Sequence, residues 1–192
     1  MTSSEARARL SELAALRITV FKEFPYIYDG SLDYEVKYLG RYLDSKTAMI
    51  FVAETEKAEL VGMSTCQHMN DEMEEVKKPF ITAGISTDSI FYFGESLLQP
   101  QFRGQGIGKK FFELRENYAR SFPKIETTTF CAVDRPNTHP QRPSDYQPLD
   151  LFWNSRGYLK KENLKCYLQW QDMNESVETV KSLSFWVKQW PV

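Results

Sequence analysis

A mixed α/β fold, one sheet with flanking helices, is predicted by three observations. Strand-like and helix-like segments alternate through the second half of the chain. A glycine-rich turn joins one of those strands to one of those helices. No shift of composition or charge divides the 192 residues, a length that suits a single domain, 1–192, with its own core.

Each element follows from local pattern. Leu10, Leu13, Leu16, Val20 and Phe24 recur at spacings of three and four, which predicts a first helix that Ser3 or Ser4 could cap and Pro25 ends. After the Asp29-Gly30-Ser31 turn a second helix is expected over 32–43, with Tyr34, Tyr38 and Tyr42 at helical spacing. Residues 48–53 and 60–66 are apolar runs of strand length around a charged turn, the pattern of a hairpin. The polar run 71–78 is read as a solvated helix or loop. Residues 90–98 form a candidate strand, and 105–121 a helix carrying Ile107, Phe111, Leu114 and Tyr118 on one stripe. Residues 125–133 are β-branched and strand-like. A loop with four prolines follows over 134–148, then a short helix at 149–155 ended by Gly157. A last strand is expected at 164–170 and a last helix at 177–187, making 173–192 a C-terminal helical extension.

Bulk properties exclude several function classes. A formal net charge of -2 with 26% charged residues gives no clustered basic surface for a nucleic-acid backbone. Cys66, Cys131 and Cys166 form no CxxC pair, so neither a zinc site nor a disulfide framework is expected, and no metal is called for; a reduced, cytoplasmic setting fits. No apolar run approaches the roughly 18 residues of a membrane span, and the first residues lack the basic-then-apolar layout of a signal peptide.

The chemistry is concentrated in Leu97-Leu98-Gln99-Pro100-Gln101-Phe102-Arg103-Gly104-Gln105-Gly106-Ile107-Gly108-Lys109-Lys110. Gly104, Gly106 and Gly108 let the backbone approach a ligand closely. The free amides and positive dipole end of the following helix make an anion site, and Arg103, Lys109 and Lys110 add positive charge. A phosphate or pyrophosphate is the ligand this turn asks for. It is not a Walker A loop, because Arg103 stands where the first Gly belongs and Lys110 where Ser or Thr belongs. Nor is it a dinucleotide fingerprint, because Lys109 stands at the third glycine position.

With Arg103-x-x-Gly106-x-Gly108 between a strand and an amphipathic helix, preceded by Leu97-Leu98 and Pro100, the sequence resembles the GNAT superfamily of acyltransferases, whose signature is [RQ]-x-x-G-x-[GA]. The resemblance extends over roughly Leu10 to Trp170. It implies a splayed, mostly antiparallel sheet with acetyl-CoA, or another acyl-CoA, lying in the split. It also implies that the Leu98 backbone pairs with the pantetheine arm beside Leu97, and that the amides of Arg103, Gly104, Gln105, Gly106, Ile107, Gly108 and the neighbouring Lys109 hold the pyrophosphate. In that family a first strand precedes the first helix; here none is evident. The family's usual downstream tyrosine, which protonates the departing thiolate, falls on Trp153, and the Asn position falls on Tyr146. Trp cannot serve as a general acid, so Tyr146 is the alternative acid by proximity in sequence; its other reading is a packed loop aromatic.

Glu95, a charge in an otherwise apolar strand, is the candidate general base; the competing reading is a salt-bridged glutamate. Tyr26 and Tyr28, flanking a turn, and Arg135, His139 and Arg142, in the proline-rich loop, are the candidate acceptor-site residues. His68 is expected at the surface. The reading is an N-acyltransferase, monomer or homodimer, acting on a primary amine of a small molecule or protein by direct attack in a ternary complex. The alternative is a non-catalytic acyl-CoA-binding sensor or partner module.

Overall fold

The computed structural model describes Met1 and residues 3–191. Among these, six strands form one open sheet: β1 (Met49–Glu54), β2 (Leu60–His68), β3 (Ile90–Leu98), β4 (Thr127–Val133), β5 (Leu159–Trp170) and β6 (Thr179–Gln189), in the order β1-β2-β3-β4-β6-β5. Every neighbouring pair is antiparallel except β3 with β4. A parallel pair needs a crossover, and α5 (Ile107–Arg120) supplies it. On the other face lie α2 (Leu10–Phe21) and α3 (Leu32–Asp44), preceded by α1 (Ser3–Ala8), with α4 (Glu74–Thr82) beside them; α6 (Asp150–Ser155) leads into β5.

Two irregularities shape the site. The β3–β4 pairing covers only Ile90–Tyr92 against Thr127–Thr129, although β3 runs on to Leu98 and β4 to Val133. Beyond Tyr92 the strands part, which makes the sheet splayed as well as mostly antiparallel. Just past that point the β2–β3 register steps from Cys66↔Phe93 to Ser64↔Ser96, so that Thr65 faces both Gly94 and Glu95. One extra residue turns the following side chains to the other face. Phe91 and Phe93 therefore pack with Phe112 of α5, whereas Leu97 packs with Leu13, Leu39 and Met63 on the α2–α3 side. Without the bulge, Glu95 would point into the aromatic cluster under α5.

Packing follows the patterning. Leu13 and Leu39 are fully buried, each contributing about 1.5–3 kcal/mol from apolar burial, and they fix α2 and α3 against the sheet.

Four sequence expectations are corrected. The last element, 177–187, is not a helix: residues 179–189 form β6, inserted between β4 and β5, so 173–192 is no helical extension. Val177, Val180 and Val187 fit a helical period, but Leu183, Phe185 and Val187 also alternate. The aromatic and β-branched side chains and a vacant place between two strands decide for strand. The preceding strand begins at Leu159, five residues earlier than expected. The first helix is two, broken at Arg9, which caps α2 without a side-chain bond; the Ser3 side chain lies outside the described residues. The polar run 71–78 is only partly solvated, because Glu72 is 8% exposed and bonded to Tyr42 and Gln67.

Candidate functional site

The turn between β3 and α5 is built for an anion. Gly104 and Gly106 have φ of 76° and 83°, left-handed values that cost a residue with a Cβ roughly 1–2 kcal/mol. Gly106 is the N-cap of α5, and the first helical bond runs from the Lys110 amide to the Gly106 carbonyl at 3.0 Å. The amides of Gly104, Gln105, Gly106, Ile107, Gly108 and Lys109 donate to no acceptor among the described residues. This run of free donors at a helix N-terminus is exposed to solvent, and it needs negative charge more than it needs side chains. The Arg103 amide is taken by the Pro100 carbonyl at 3.1 Å. Its side chain donates to the Leu98 carbonyl at 3.0 Å and pairs with Glu23 at 2.8 Å. Arg103 therefore folds back on the end of β3, and Leu98 has one backbone acceptor already engaged. The Lys109 and Lys110 side chains are exposed, near Glu113.

Glu95 lies where the sheet opens. It is 5% exposed and its carboxylate accepts from Arg17 of α2 and from the Thr65 hydroxyl. The Thr65 hydroxyl in turn accepts from the Glu95 amide at 2.9 Å. Arg17 also pairs with Glu35 of α3, which is fully buried and whose Oε1 has no partner. One guanidinium thus answers two carboxylates, leaving the buried triad with one net negative charge. The Arg17 guanidinium lies 4.1 Å from the centre of the Tyr38 ring. On the α5 side, buried Arg115 donates to the Glu95 carbonyl at 3.3 Å and stacks against Phe93; burial pushes its pKa down.

The loop between α2 and α3 brings Tyr26 to this site. Burial pushes the Tyr26 phenol well above its ordinary pKa, with Cys131, Glu95 and Cys166 adding to the shift, so the hydroxyl keeps its proton. It has no hydrogen-bond partner among the described residues. Tyr28 stands beside the triad: its backbone bridges to Asp172, and burial and the neighbouring Glu35 raise its phenol.

The proline-rich loop divides into two parts. Arg135 is committed inside the chain. It donates to Asp172 through both Nη atoms at 2.8 and 2.9 Å, to the Pro25 carbonyl at 2.8 Å and to the Tyr26 carbonyl at 3.0 Å. It holds the Tyr26 loop in place and is not free to meet an anion. Arg135→Ala strips a 9%-exposed guanidinium from a 4%-exposed carboxylate and is expected to cost about 3 kcal/mol, the low end for a broken buried pair because Lys181 stays 3.3 Å from Asp172. Urea unfolding measures this; unchanged stability would refute it. His139, Arg142 and Tyr146 gather around Phe24: Phe24 meets Tyr146 edge-on at 4.7 Å and His139 at 5.7 Å, and Arg142 lies 4.8 Å over the Tyr146 ring. Burial raises the Tyr146 phenol. No contact among the described residues links Tyr146 to Glu95; Tyr26, Tyr38 and Tyr42 are phenols whose pKa that carboxylate helps to raise. Trp153 packs against Phe130 and Trp186. His68 spends both ring nitrogens locally, on the Asp88 carbonyl and the Asn70 amide.

Sequence reasoning missed Arg17 and Glu35. A charged residue on the apolar stripe side of a helix was the available signal, but nothing local pairs it with a glutamate 78 residues away. No helix among the described residues is long and apolar enough to cross a membrane, and no group of three or more metal-ligating side chains occurs among them.

Comparisons with known proteins agree with this geometry. Solved structures with the same fold include a ribosomal-protein-alanine N-acetyltransferase from Brucella melitensis, with 16% identity, a TM-score of 0.59 and 96% of each chain covered. An acetyltransferase of the GNAT family from Staphylococcus aureus Mu50 is 12% identical, with a TM-score of 0.60 over 95% of this chain and 94% of that one. The PaiA N-acetyltransferase from Thermoplasma acidophilum, solved in complex with coenzyme A, is 11% identical, with a TM-score of 0.55 over 96% and 94%. At these identities the likeness shows the fold alone. No curated protein sequence matches the chain. The model of the acetyltransferase (GNAT) family matches residues 14–142, two thirds of the sequence and all of the turn, the bulge and the split, and the chain belongs to that family.

Proposed function

We propose that the chain transfers the acetyl group of acetyl-CoA to a primary amine of a small molecule or protein, by direct attack within a ternary complex. The carrying observation is the run of free amides from Gly104 to Lys109, exposed at the mouth of an open split. Acetyl-CoA fits it: the pyrophosphate takes those amides, the arm follows the Leu97–Leu98 end of β3, and the thioester supplies an activated acyl group. The side chains do the rest. Glu95 accepts the proton an ammonium must lose, directly or through one water, and Arg17 and Thr65 hold its carboxylate in place. Tyr26 Oη, protonated and without a partner, holds a proton to give, and this reading prefers it to Tyr146. A cytoplasmic setting, no nucleic-acid partner and a monomeric or homodimeric state belong to the same reading.

The second reading, an acyl-CoA-binding module without turnover, is favoured by one observation: Trp153 stands where the family places its acid. Thiol release from acetyl-CoA over a panel of primary amines separates the two. Amine-dependent release supports transfer. Tight acetyl-CoA binding with no release for any amine would replace it with the module.

A further inference from the structure

Acyl transfer from acetyl-CoA to an ammonium leaves one proton over. The ammonium loses two N–H protons: one ends on the departing thiolate, and the other is taken by Glu95. Glu95 must shed that proton before it can act again, and it is buried. Its hydrogen-bond partners among the described residues are Arg17 and the Thr65 hydroxyl. A guanidinium has no lone pair with which to take a proton, whereas a hydroxyl can both take one and give one.

Beyond Thr65 the hydroxyls continue. A Cβ on Gly94 would collide with the Thr65 and Tyr42 hydroxyl oxygens alike, so those two oxygens stand beside one another there. Glycine inside a strand weakens it and often marks a close approach; here the missing side chain leaves the two hydroxyls their room. Tyr42, on α3, is buried, and its hydroxyl donates to Glu72 at 2.9 Å. Glu72 also accepts from the Gln67 amide at 2.7 Å and the Met73 amide at 3.1 Å. All three donors are neutral. Burial raises the pKa of Glu72 against those bonds, and the charge of Glu95 adds to the rise, so Glu72 is suited to hold a proton. Glu72 lines a cavity of about 180 Å³. Arg41 and Asp71 line it too and are exposed, which opens it to solvent.

We propose that the proton taken by Glu95 leaves through the Thr65 and Tyr42 hydroxyls to Glu72, and from there by the cavity to solvent. This rests on the acyl-transfer reading above. The charge of Glu95 sets the path. While Glu95 is ionised, the Thr65 hydroxyl donates to it, and Thr65 and Tyr42 share no hydrogen bond. Once Glu95 is protonated, its own O–H donates to Thr65, which also accepts from the Glu95 amide at 2.9 Å. The Thr65 proton is then released to turn to Tyr42, and the Tyr42 proton passes to Glu72. Each hydroxyl gains one proton as it gives one, so only the two carboxylates change charge: Glu95 regains its own and Glu72 loses it until water takes the proton.

Pre-steady-state thiol release from acetyl-CoA, with a saturating primary amine, tests the path. In Tyr42→Phe the first turnover, which needs no proton cleared from Glu95, should match wild type. Later turnovers should be about 10- to 100-fold slower, up to the low end of the range for losing a proton-transfer group. One thiol per chain then appears as a burst. Glu72→Ala should show the same burst, and formate, a small base that fits the vacated place, should restore its steady rate. Nitrate, a planar anion of like charge and similar size with almost no basicity, should not. A slow first turnover in Tyr42→Phe, an unchanged steady rate, or equal rescue by nitrate each overturns the path and leaves acyl transfer intact. A wild type that releases no thiol with any amine overturns the path together with the transfer reading.

Discussion

Glu95→Gln is expected to lower kcat by roughly 10²–10⁴-fold, the range for loss of a general base, with acetyl-CoA affinity nearly unchanged. The surroundings of Glu95 make this a clean substitution. Gln keeps an oxygen for Arg17, and Arg17 keeps its second partner, Glu35. The Thr65 hydroxyl, which now donates to the carboxylate while accepting from the Glu95 amide, can accept from the new amide through its other lone pair. The triad also becomes neutral where it had carried a net negative charge, so no buried cation is left without a partner. A loss of rate would therefore report the lost base and not a lost fold, and a melting temperature within a few degrees of wild type checks this. Wild-type rate should climb with pH until the acceptor amine, ordinarily about 10 in pKa, is itself neutral; the Gln variant should gain from high pH as the amine deprotonates unaided. A Glu95→Gln rate equal to wild type would move the base elsewhere and leave the anion turn untouched.

What could be read from the sequence was what depends on neighbours along the chain. The turn at 103–108 is local: its glycines, its strand and its helix are contiguous, and the structure places all of them as expected. The β1–β2 hairpin and α5 are local too. The residues that complete the site are not. Arg17 reaches Glu95 only because α2 lies across the face to which the bulge turns that side chain, and a bulge leaves no signature in a run such as Phe93-Gly94-Glu95-Ser96. Arg135 was read as a ligand-facing arginine because it stands in a loop; its partner, Asp172, comes from the connection between β5 and β6, whose second strand was itself expected to be a helix. Glu72 was hidden for a related reason. A charged run is ordinarily a solvated face, and only β2 beneath it, bringing Gln67, and α3, bringing Tyr42, bury one of its carboxylates. Periodicity names an element, but it does not say which distant side chain will neutralise a charge on it.

The other large effect is expected at Gly106. Gly106→Val should abolish measurable acetyl-CoA binding, while Arg103→Ala should weaken it only several-fold. Two separate causes act on the glycine. At φ 83° a β-branched residue is strained by more than 1–2 kcal/mol, and relief of that strain rotates the Gly106 and Ile107 amides away from a common centre. The added side chain would also stand on the ligand's side of the turn, because, beyond its chain neighbours, nothing among the described residues lies within 4 Å of a Cβ at Gly106. Protein stability is therefore affected only through the backbone strain, and the site through both causes. Arg103 differs: its guanidinium is tied to the Leu98 carbonyl and to Glu23, so its removal loosens the end of β3 without deleting any of the amides from Gly104 to Lys109. Gly106→Ala divides the two causes, since it carries the strain with little of the bulk, and should bind with intermediate affinity. Calorimetric titration of the three variants with acetyl-CoA gives the order Arg103→Ala, Gly106→Ala, Gly106→Val from tightest to weakest. Normal binding by Gly106→Val would show that the pyrophosphate does not lie on this turn, and a loss in Arg103→Ala as deep as in Gly106→Val would transfer the site from the backbone to the side chain.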